Sequence, residues 1–208
     1  KDTERAYDSL IDALEDDFPD VRIAALKTLP SFSLRRQGIL LHCLSDRLQD
    51  DEDSVREEAM TCLKKVAPLF PSGCEEILRR ELRDTRKDHR GNAFEALKLA
   101  SREWPEVGCL HLDELIREEE GDLRIRGSMI LRTIASKGGA EAWDLIGWSL
   151  QDEEVQVRRN ASKTLTILAD VEPRVAVILV ESSIGEDDRQ IRGSVIKALK
   201  KLDIQSPR

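Results

Sequence analysis

Residues 50–63 read DDEDSVREEAMTCL, and residues 152–165 read DEEVQVRRNASKTL. In both stretches an aspartate is followed by valine and arginine five and six positions later, by alanine after nine and by leucine after thirteen. The valine, alanine and leucine are spaced so that they fall on one face of an α-helix. The acids that precede them are typical of a turn at a helix start. Each stretch therefore predicts an acidic turn followed by an amphipathic helix.

The same pattern recurs along the whole chain. Aligned on the arginine, it occurs six times at intervals of 34, 34, 36, 32 and 34 residues, with an acid six positions before each arginine. A period of this length is typical of tandem helical repeats. The interval of 36 predicts two extra residues in the fourth repeat. We call the aligned residues the arginine–acid ladder: Arg22, Arg56, Arg90, Arg126, Arg158 and Arg192, with Asp16, Asp50, Asp84, Glu120, Asp152 and Glu186.

The arginine–acid ladder has a predicted structural role. An acid before the second helix of a repeat opposes the positive end of that helix and can accept hydrogen bonds from its unpaired amides. An arginine one turn into the helix can reach the turn acid of its own or the adjacent repeat with several N–H donors. We therefore expect the ladder to fix how the repeats stack and to take no part in catalysis.

A second apolar segment precedes each acid, so each repeat is predicted to be a helix, an acidic turn and a second helix. The prediction is an all-α fold of twelve helices in six antiparallel pairs, stacked as one domain over residues 1–208. The second helices of the fourth and fifth repeats are expected over 122–136 and 153–169. The approximate repeats are 3–33, 37–68, 74–103, 107–137, 140–170 and 174–204.

The pattern Asp50–Val55–Arg56–Ala59–Leu63 resembles a HEAT repeat, and the short, regular kind named after phycobiliprotein lyases is the most similar. The resemblance covers essentially the whole chain. It implies a right-handed α–α superhelix, or solenoid, of about six HEAT-like two-helix repeats, similar in kind to armadillo proteins. Because the motif residues form the scaffold itself, function is expected in the variable surface residues.

Composition limits the classes of partner and the compartment. The net charge of −8 disfavours a nucleic-acid partner, because a sequence-independent binder needs a dense positive surface to displace counterions from phosphates. No run of 18 apolar residues is present, so we expect no membrane span. The first residues, KDTERAYDSL, lack a signal-peptide pattern, and the four cysteines are expected to be small buried side chains in a reducing compartment. We therefore expect a cytoplasmic protein.

The chain shows no pattern of an active site. HEAT-like di-iron hydroxylases carry His-Glu dipeptides as metal ligands, whereas none of the three histidines here is followed by glutamate. His89 replaces the apolar residue found before the other ladder arginines, and we interpret it as a partly buried histidine. The cysteines lack paired metal spacing, and no Gly-rich phosphate loop occurs. We predict no catalytic residue, no metal and no cofactor.

Three surfaces are candidates for binding. Positions two and five residues after each arginine are predicted to face the concave side of the solenoid. A basic cluster in the third repeat is a candidate anion-binding patch, although interleaved acids favour local ion pairs. The acidic turns should align as a negative edge. The concave candidates are Glu58, Asn92, Glu95, Ser128, Leu131, Asn160, Lys163, Ser194 and Lys197, and the patch is Arg79, Arg80, Arg83, Arg86 and Lys87.

These surfaces favour a non-catalytic protein-interaction scaffold that binds a protein partner through its concave face or acidic edge. The repeat subtype implies one alternative, a subunit of a chromophore lyase or a related enzyme. The basic cluster of the third repeat allows another, a nucleic-acid-binding HEAT-like protein.

Overall fold

A computed structural model describes residues 2–32 and 37–205, and every regular element within those ranges is helical. The predicted all-α class is therefore confirmed. The chain divides into two compact units, Lys1–Glu103 and Trp104–Arg208, which we describe separately. The single domain over 1–208 stays a prediction, and Ser33, the expected end of the first repeat, lies outside the described residues.

The first unit consists of three helix pairs. They are α1 (Asp2–Leu14) with α2 (Pro19–Thr28), α3 (Gln37–Arg47) with α4 (Asp53–Val66), and α5 (Pro71–Glu81) with α6 (Lys87–Glu103). A short 3₁₀ turn, Leu29–Ser31, follows α2. The first helices α1, α3 and α5 pack in sequence, and the second helices α2, α4 and α6 do the same. The unit therefore has a first-helix layer and a second-helix layer.

The second unit has the same plan, but two of its second helices are interrupted. Its helices are α7 (Pro105–Leu115), α8 (Gly121–Ser128), α9 (Leu131–Ile134), α10 (Gly139–Leu150), α11 (Val155–Ser162), α12 (Leu165–Val171), α13 (Pro173–Glu181) and α14 (Arg189–Gln205). Helix α7 packs on α10, whereas α8 packs on α11 and α11 on α14. The pairs α8–α9 and α11–α12 are thus the interrupted second helices of the fourth and fifth repeats.

The prediction of unbroken helices over 122–136 and 153–169 is wrong, because both helices are interrupted at the same position of the repeat. The amide of Ile130 donates to Gly127 O (2.9 Å) and the amide of Thr164 to Ala161 O (2.9 Å), so both helices tighten into a 3₁₀ turn. The Ser128 hydroxyl donates to Ile125 O (2.6 Å) at the first interruption, and the Thr164 hydroxyl donates to Ala161 O (2.7 Å) at the second. Hydroxyl groups that bond backbone carbonyls in this way bend helices.

Among the helices that the structure describes, four begin at a proline, namely α2, α5, α7 and α13. The first residue of a helix has no intrahelical use for its N–H, so proline is tolerated there and its fixed φ suits the helix. The same prolines end the preceding connections. The sequence therefore marks these helix starts directly.

The interior of both units is mainly aliphatic, and aromatic residues make up only 4% of the chain. Leu14, Leu44 and Leu63 in the first unit, and Leu112 and Leu165 in the second, have no exposed surface. Two alanines of the second helices, Ala59 and Ala161, are also fully buried, and their small side chains allow close helix packing. Within the described residues, no helix combines the length and apolar character needed to cross a membrane.

Candidate functional site

Arg22 connects the first repeat to the second through two kinds of contact. The Nη1 group of Arg22 donates to Asp16 O (2.8 Å) and Asp17 O (3.1 Å) in the turn of its own repeat. The Nη2 group of the same side chain donates to the Asp50 carboxylate (2.8 Å) in the next repeat. One guanidinium therefore holds its own turn by backbone carbonyls and the next turn by a carboxylate.

Arg158 repeats this geometry in the second unit. Its Nη1 donates to Asp152 O (2.8 Å) and Glu153 O (2.9 Å), and its Nε donates to Glu186 Oε2 (2.9 Å). Arg56 donates to Asp51 O (2.9 Å) and also to Asp50 O. Arg56 and Arg158 therefore contact the ladder acid of their own repeat through its backbone carbonyl and not through its side chain.

The fourth repeat contradicts the predicted alignment. Arg124, and not Arg126, donates to the turn carbonyls of Glu118 (2.9 Å) and Glu119 (3.0 Å) and pairs with the Asp152 carboxylate (3.1 Å). The Arg124 side chain is 7% exposed, whereas Arg126 is 32% exposed and pairs within its own helix with Asp122. The ladder members of this repeat are therefore Arg124 and Glu118.

This correction makes the period uniform. With Arg124 and Glu118, consecutive ladder arginines and consecutive ladder acids are all separated by 34 residues. The two extra residues predicted in the fourth repeat are not an insertion. The error arose because Ile125–Arg126 imitates the Val-Arg pair of the other repeats, whereas the true pair is Leu123–Arg124.

Two ladder carboxylates, Asp50 and Glu186, have a pKa that is held below the usual range. Burial raises the pKa of Asp50, but hydrogen bonds from Arg22 and the Glu52 amide outweigh it and hold that pKa below its usual range. The hydrogen bond from Arg158 lowers the pKa of Glu186, and burial opposes it only in part. The carboxylates also accept the backbone amide two residues on, as in Asp152 Oδ1 with the Glu154 amide (2.8 Å). These contacts occupy the ladder acids and leave their neighbours in the turns exposed.

Two of the predicted concave residues are buried. Leu131 has no exposed surface and Ser128 is 1% exposed. Both errors follow from the misaligned arginine, because counting from Arg124 places Ser128 four and Leu131 seven residues later, at core positions. The residue five positions after Arg124 is Met129, which is 58% exposed. Sequence reasoning therefore missed Met129 as the exposed apolar side chain of this surface.

The other predicted concave residues lie on or near the surface. Glu58 pairs weakly with Lys27 (4.0 Å), and Asn92 accepts a hydrogen bond from Lys64 Nζ (2.9 Å). Asn160 donates to Ser128 Oγ (2.9 Å), which links consecutive second helices. The remaining predicted residues, Glu95, Lys163, Ser194 and Lys197, are exposed or half-buried. Their role in binding stays a prediction.

The second-helix surface of the first unit contains a groove of about 650 Å³ between α4 and α6. Its lining combines both signs of charge with an apolar side chain, and it extends from the acidic turns onto the helix faces. The lining residues are Asp53, Arg56, Glu57, Met60, Thr61, Lys64, Arg86, Lys87, Asp88, His89 and Asn92. We call it the α4–α6 groove.

The basic cluster of the third repeat is largely neutralised by acids. Arg79 pairs with Glu76, Arg80 with Glu81 (2.8 Å) and Arg86 with Asp84 (2.6 Å). Arg83 donates to the backbone carbonyl of Arg79 (3.1 Å). Lys87 is exposed and lines the α4–α6 groove. The cluster is therefore a salt-bridged surface more than an anion-binding patch.

The structure also brings together three potential metal ligands. One carboxylate oxygen each from Glu81 and Asp84 and one ring nitrogen of His89 lie within 4.8 Å of one another. Glu81 is at the end of α5, His89 is in the first turn of α6, and Asp84 is in the turn between them. No ligand spacing in the sequence predicts this cluster.

Comparison with known proteins identifies the fold and no function. No family model matches the chain, and no curated protein matches it. Solved structures do match, and one is the third TOG domain (TOG3) of Mini spindles from Drosophila melanogaster, with 14% identity, 96% of each chain covered and a TM-score of 0.66.

Two further matches are engineered proteins. A computationally designed armadillo repeat protein for modular peptide recognition is 17% identical, with 93% of this chain and 98% of that chain covered and a TM-score of 0.52. A crystal structure of another engineered protein is 16% identical over 98% of this chain and 97% of that chain, with a TM-score of 0.50. These likenesses show that the chain has the helical-repeat fold of TOG and armadillo proteins.

Proposed function

We propose that this chain is a non-catalytic scaffold that binds an extended segment of a protein partner in the α4–α6 groove. The observation that carries the proposal is the groove itself. Its volume of about 650 Å³ lies within the range of about 300–1,000 Å³ found for ligand sites. Extended segments need contacts along a length of surface, and this groove lies between two second helices that pack against each other.

The side chains of the groove suit a segment of mixed character. Glu57, Lys87 and Asp88 are exposed at its sides, and Met60 forms part of its apolar floor. Charges of both signs on these side chains give orientation and specificity. One matching solved structure is a protein designed for peptide recognition, which supports a peptide-like ligand for this fold.

The acidic edge provides the second part of the proposed surface. Asp51 and Glu52 are exposed in the turn that enters α4, because the neighbouring Asp50 carries the ladder contact. We infer that these two carboxylates attract basic residues that flank the bound segment. Such contacts act mainly on the association rate and weaken with added salt.

Affinity capture from a native extract tests the groove. The groove variant Glu57→Lys with Lys87→Glu keeps the net charge, and so does a control variant Arg5→Glu with Asp12→Lys on the exposed side of α1. We expect wild type and the control to capture the same protein, which the groove variant binds at least ten times more weakly. Equal affinity in all three would rule out the groove.

Two binding assays on the purified protein test the alternatives, the chromophore-lyase subunit and the nucleic-acid-binding protein. A change in visible absorbance when a bilin is added would instead support the chromophore-lyase subtype. A salt-dependent mobility shift with nucleic acid, lost in Arg79→Glu with Arg83→Glu, would support the nucleic-acid alternative. The four buried, unpaired cysteines support a reducing compartment such as the cytoplasm, which imaging of a fluorescent fusion tests.

A further inference from the structure

The cluster at the end of α5 contains an unsatisfied buried carboxylate. Glu81 has no exposed surface. Its Oε1 accepts hydrogen bonds from Gln49 Nε2 (3.0 Å) and Arg80 Nε (2.8 Å), whereas its Oε2 has no hydrogen-bond partner. A buried polar oxygen without a hydrogen-bond partner is costly, and it is therefore a candidate ligand atom.

His89 faces this oxygen and is equally unsatisfied. Its Nδ1 has no hydrogen-bond partner and lies 3.8 Å from Glu81 Oε2. That separation is too long for a direct N–H···O hydrogen bond, which spans about 2.7–3.2 Å. It is suitable for two ligands of one metal ion, since Zn–N and Zn–O bonds are each about 2.1 Å long.

The repeat shows that a histidine is not needed here for folding. In each of the five other repeats, the residue before the ladder arginine is aliphatic. In most of those repeats this residue is also buried. A single polar ring in an apolar column lowers stability unless its nitrogen atoms are used. Position 89 therefore differs from the scaffold, in contrast to the ladder residues around it.

Asp84 provides the third ligand atom. Its Oδ2 accepts from Arg86 Nη2 (2.6 Å) and its Oδ1 from Arg86 Nε (2.9 Å), and these bonds fix the carboxylate toward the cluster. Metal-binding carboxylates commonly accept such outer hydrogen bonds, and Arg80 and Gln49 orient Glu81 in the same way.

We propose that Glu81, Asp84 and His89 bind a first-row divalent cation, with Zn²⁺ as the ion that suits one imidazole and two carboxylates. The set of one nitrogen and two oxygen ligands fits the N/O preference of Zn²⁺, and three protein ligands leave a fourth position for water or a ligand. His89 also lines the α4–α6 groove, so the ion has a path from solvent. The site shares His89 with the α4–α6 groove, but binding of the metal alone can be measured without a protein partner.

The full chain is titrated with Zn²⁺ by isothermal titration calorimetry, and with Co²⁺ as a spectroscopic substitute. His89→Val restores the aliphatic residue of the other repeats, and Glu81→Gln keeps the shape of the side chain. His42→Gln is the matched control, because His42 Nε2 also lies 3.8 Å from a carboxylate, that of Asp46, but on the exposed surface.

Wild type and His42→Gln are expected to bind one equivalent of Zn²⁺ and to give a visible Co²⁺ ligand-field spectrum. The affinity for Zn²⁺ and the intensity of the Co²⁺ spectrum should each fall at least tenfold in His89→Val and in Glu81→Gln. Circular dichroism verifies folding, and if Glu81→Gln does not fold, the result for His89→Val decides. The proposal is overturned if wild type shows no saturable binding, or if folded His89→Val binds Zn²⁺ as tightly as wild type.

Discussion

Replacing Arg124 and Arg126 separately by alanine gives opposite expectations from the sequence alignment and from the structure. The alignment on Val-Arg pairs assigns Arg126 to the ladder, whereas the structure assigns Arg124. Arg124 is 7% exposed, donates to two turn carbonyls and pairs with Asp152, whose side chain is 10% exposed. Arg126 is 32% exposed and makes an i,i+4 pair with Asp122.

The magnitudes separate the two variants clearly. Removing one partner of a buried ion pair costs about 3–5 kcal/mol, because the other charge stays buried without compensation. We take the lower end, about 3 kcal/mol, for Arg124→Ala, since Asp152 keeps its bond from the Glu154 amide. An exposed i,i+4 helix pair contributes about 0.3–0.5 kcal/mol, which is the expected loss for Arg126→Ala.

Urea denaturation followed by circular dichroism measures both losses in the free energy of unfolding. For a chain of 208 residues, about 1 kcal/mol shifts the melting temperature by about 2–4 °C. Arg124→Ala should therefore lower it by about 6–12 °C, and Arg126→Ala should change it little. A repeat protein can unfold in more than one step, so the variants are compared only where the denaturation slopes agree.

A double-mutant cycle with Asp152→Asn isolates the contact itself. Arg124 and Asp152 should show a coupling energy above about 0.5 kcal/mol, whereas Arg126 and Asp152 should be additive. Equal destabilisation by the two alanine variants, or additivity of Arg124 with Asp152, would refute the ladder assignment in the fourth repeat.

The remaining predictions concern pH, two glycines and the cysteines. The pKa of Asp50 is lowered in the folded state, so its contribution to stability is present above its unfolded pKa of about 3.9. This contribution is lost as the pH falls through the folded-state pKa. Urea midpoints measured from pH 6 to pH 2 should therefore fall less steeply in Asp50→Asn than in wild type. Gly127→Ala should destabilise, because the added Cβ would lie 3.0 Å from a leucine side chain of α7, whereas Gly193→Ala meets nothing within 4 Å and should stabilise by about 1 kcal/mol; a melting temperature that moves in the same direction for both would contradict this. Burial raises the pKa of Cys62 and Cys74 to about 12, so neither thiol should react with a disulfide reagent at neutral pH until the protein unfolds, and rapid labelling of the native chain would disprove their burial.

The interior of the fold was predictable because it is encoded in local spacing. The apolar residues around Arg56 and Arg158 recur at the helical period, and that period specifies which side of each helix is buried. The interruptions after Ser128 and Ser162 were not predicted, since hydroxyl bonding to the backbone depends on side-chain geometry within an otherwise helical pattern.

The candidate surface was predictable only in part. Positions counted from correctly aligned arginines, such as Glu95 and Lys163, are exposed as predicted. Leu131 is buried, and its predicted exposure is wrong because the count started at Arg126. A strict period of 34 residues would have selected Arg124 from the sequence. Similarity of the neighbouring residues favoured Ile125–Arg126 instead, and only the contact with Asp152 decides between the two arginines.

The sequence by itself therefore determined the repeat, its length, the helix faces and the chemistry of the ladder, because these depend on residues close together in the chain. The tertiary structure alone decided which carboxylate each arginine reaches, and it brought Glu81 Oε2 to 3.8 Å from His89 Nδ1. Contacts between helices depend on how packed helices place side chains in space. That placement is why a histidine in an aliphatic column became a candidate metal ligand only once the helices were packed.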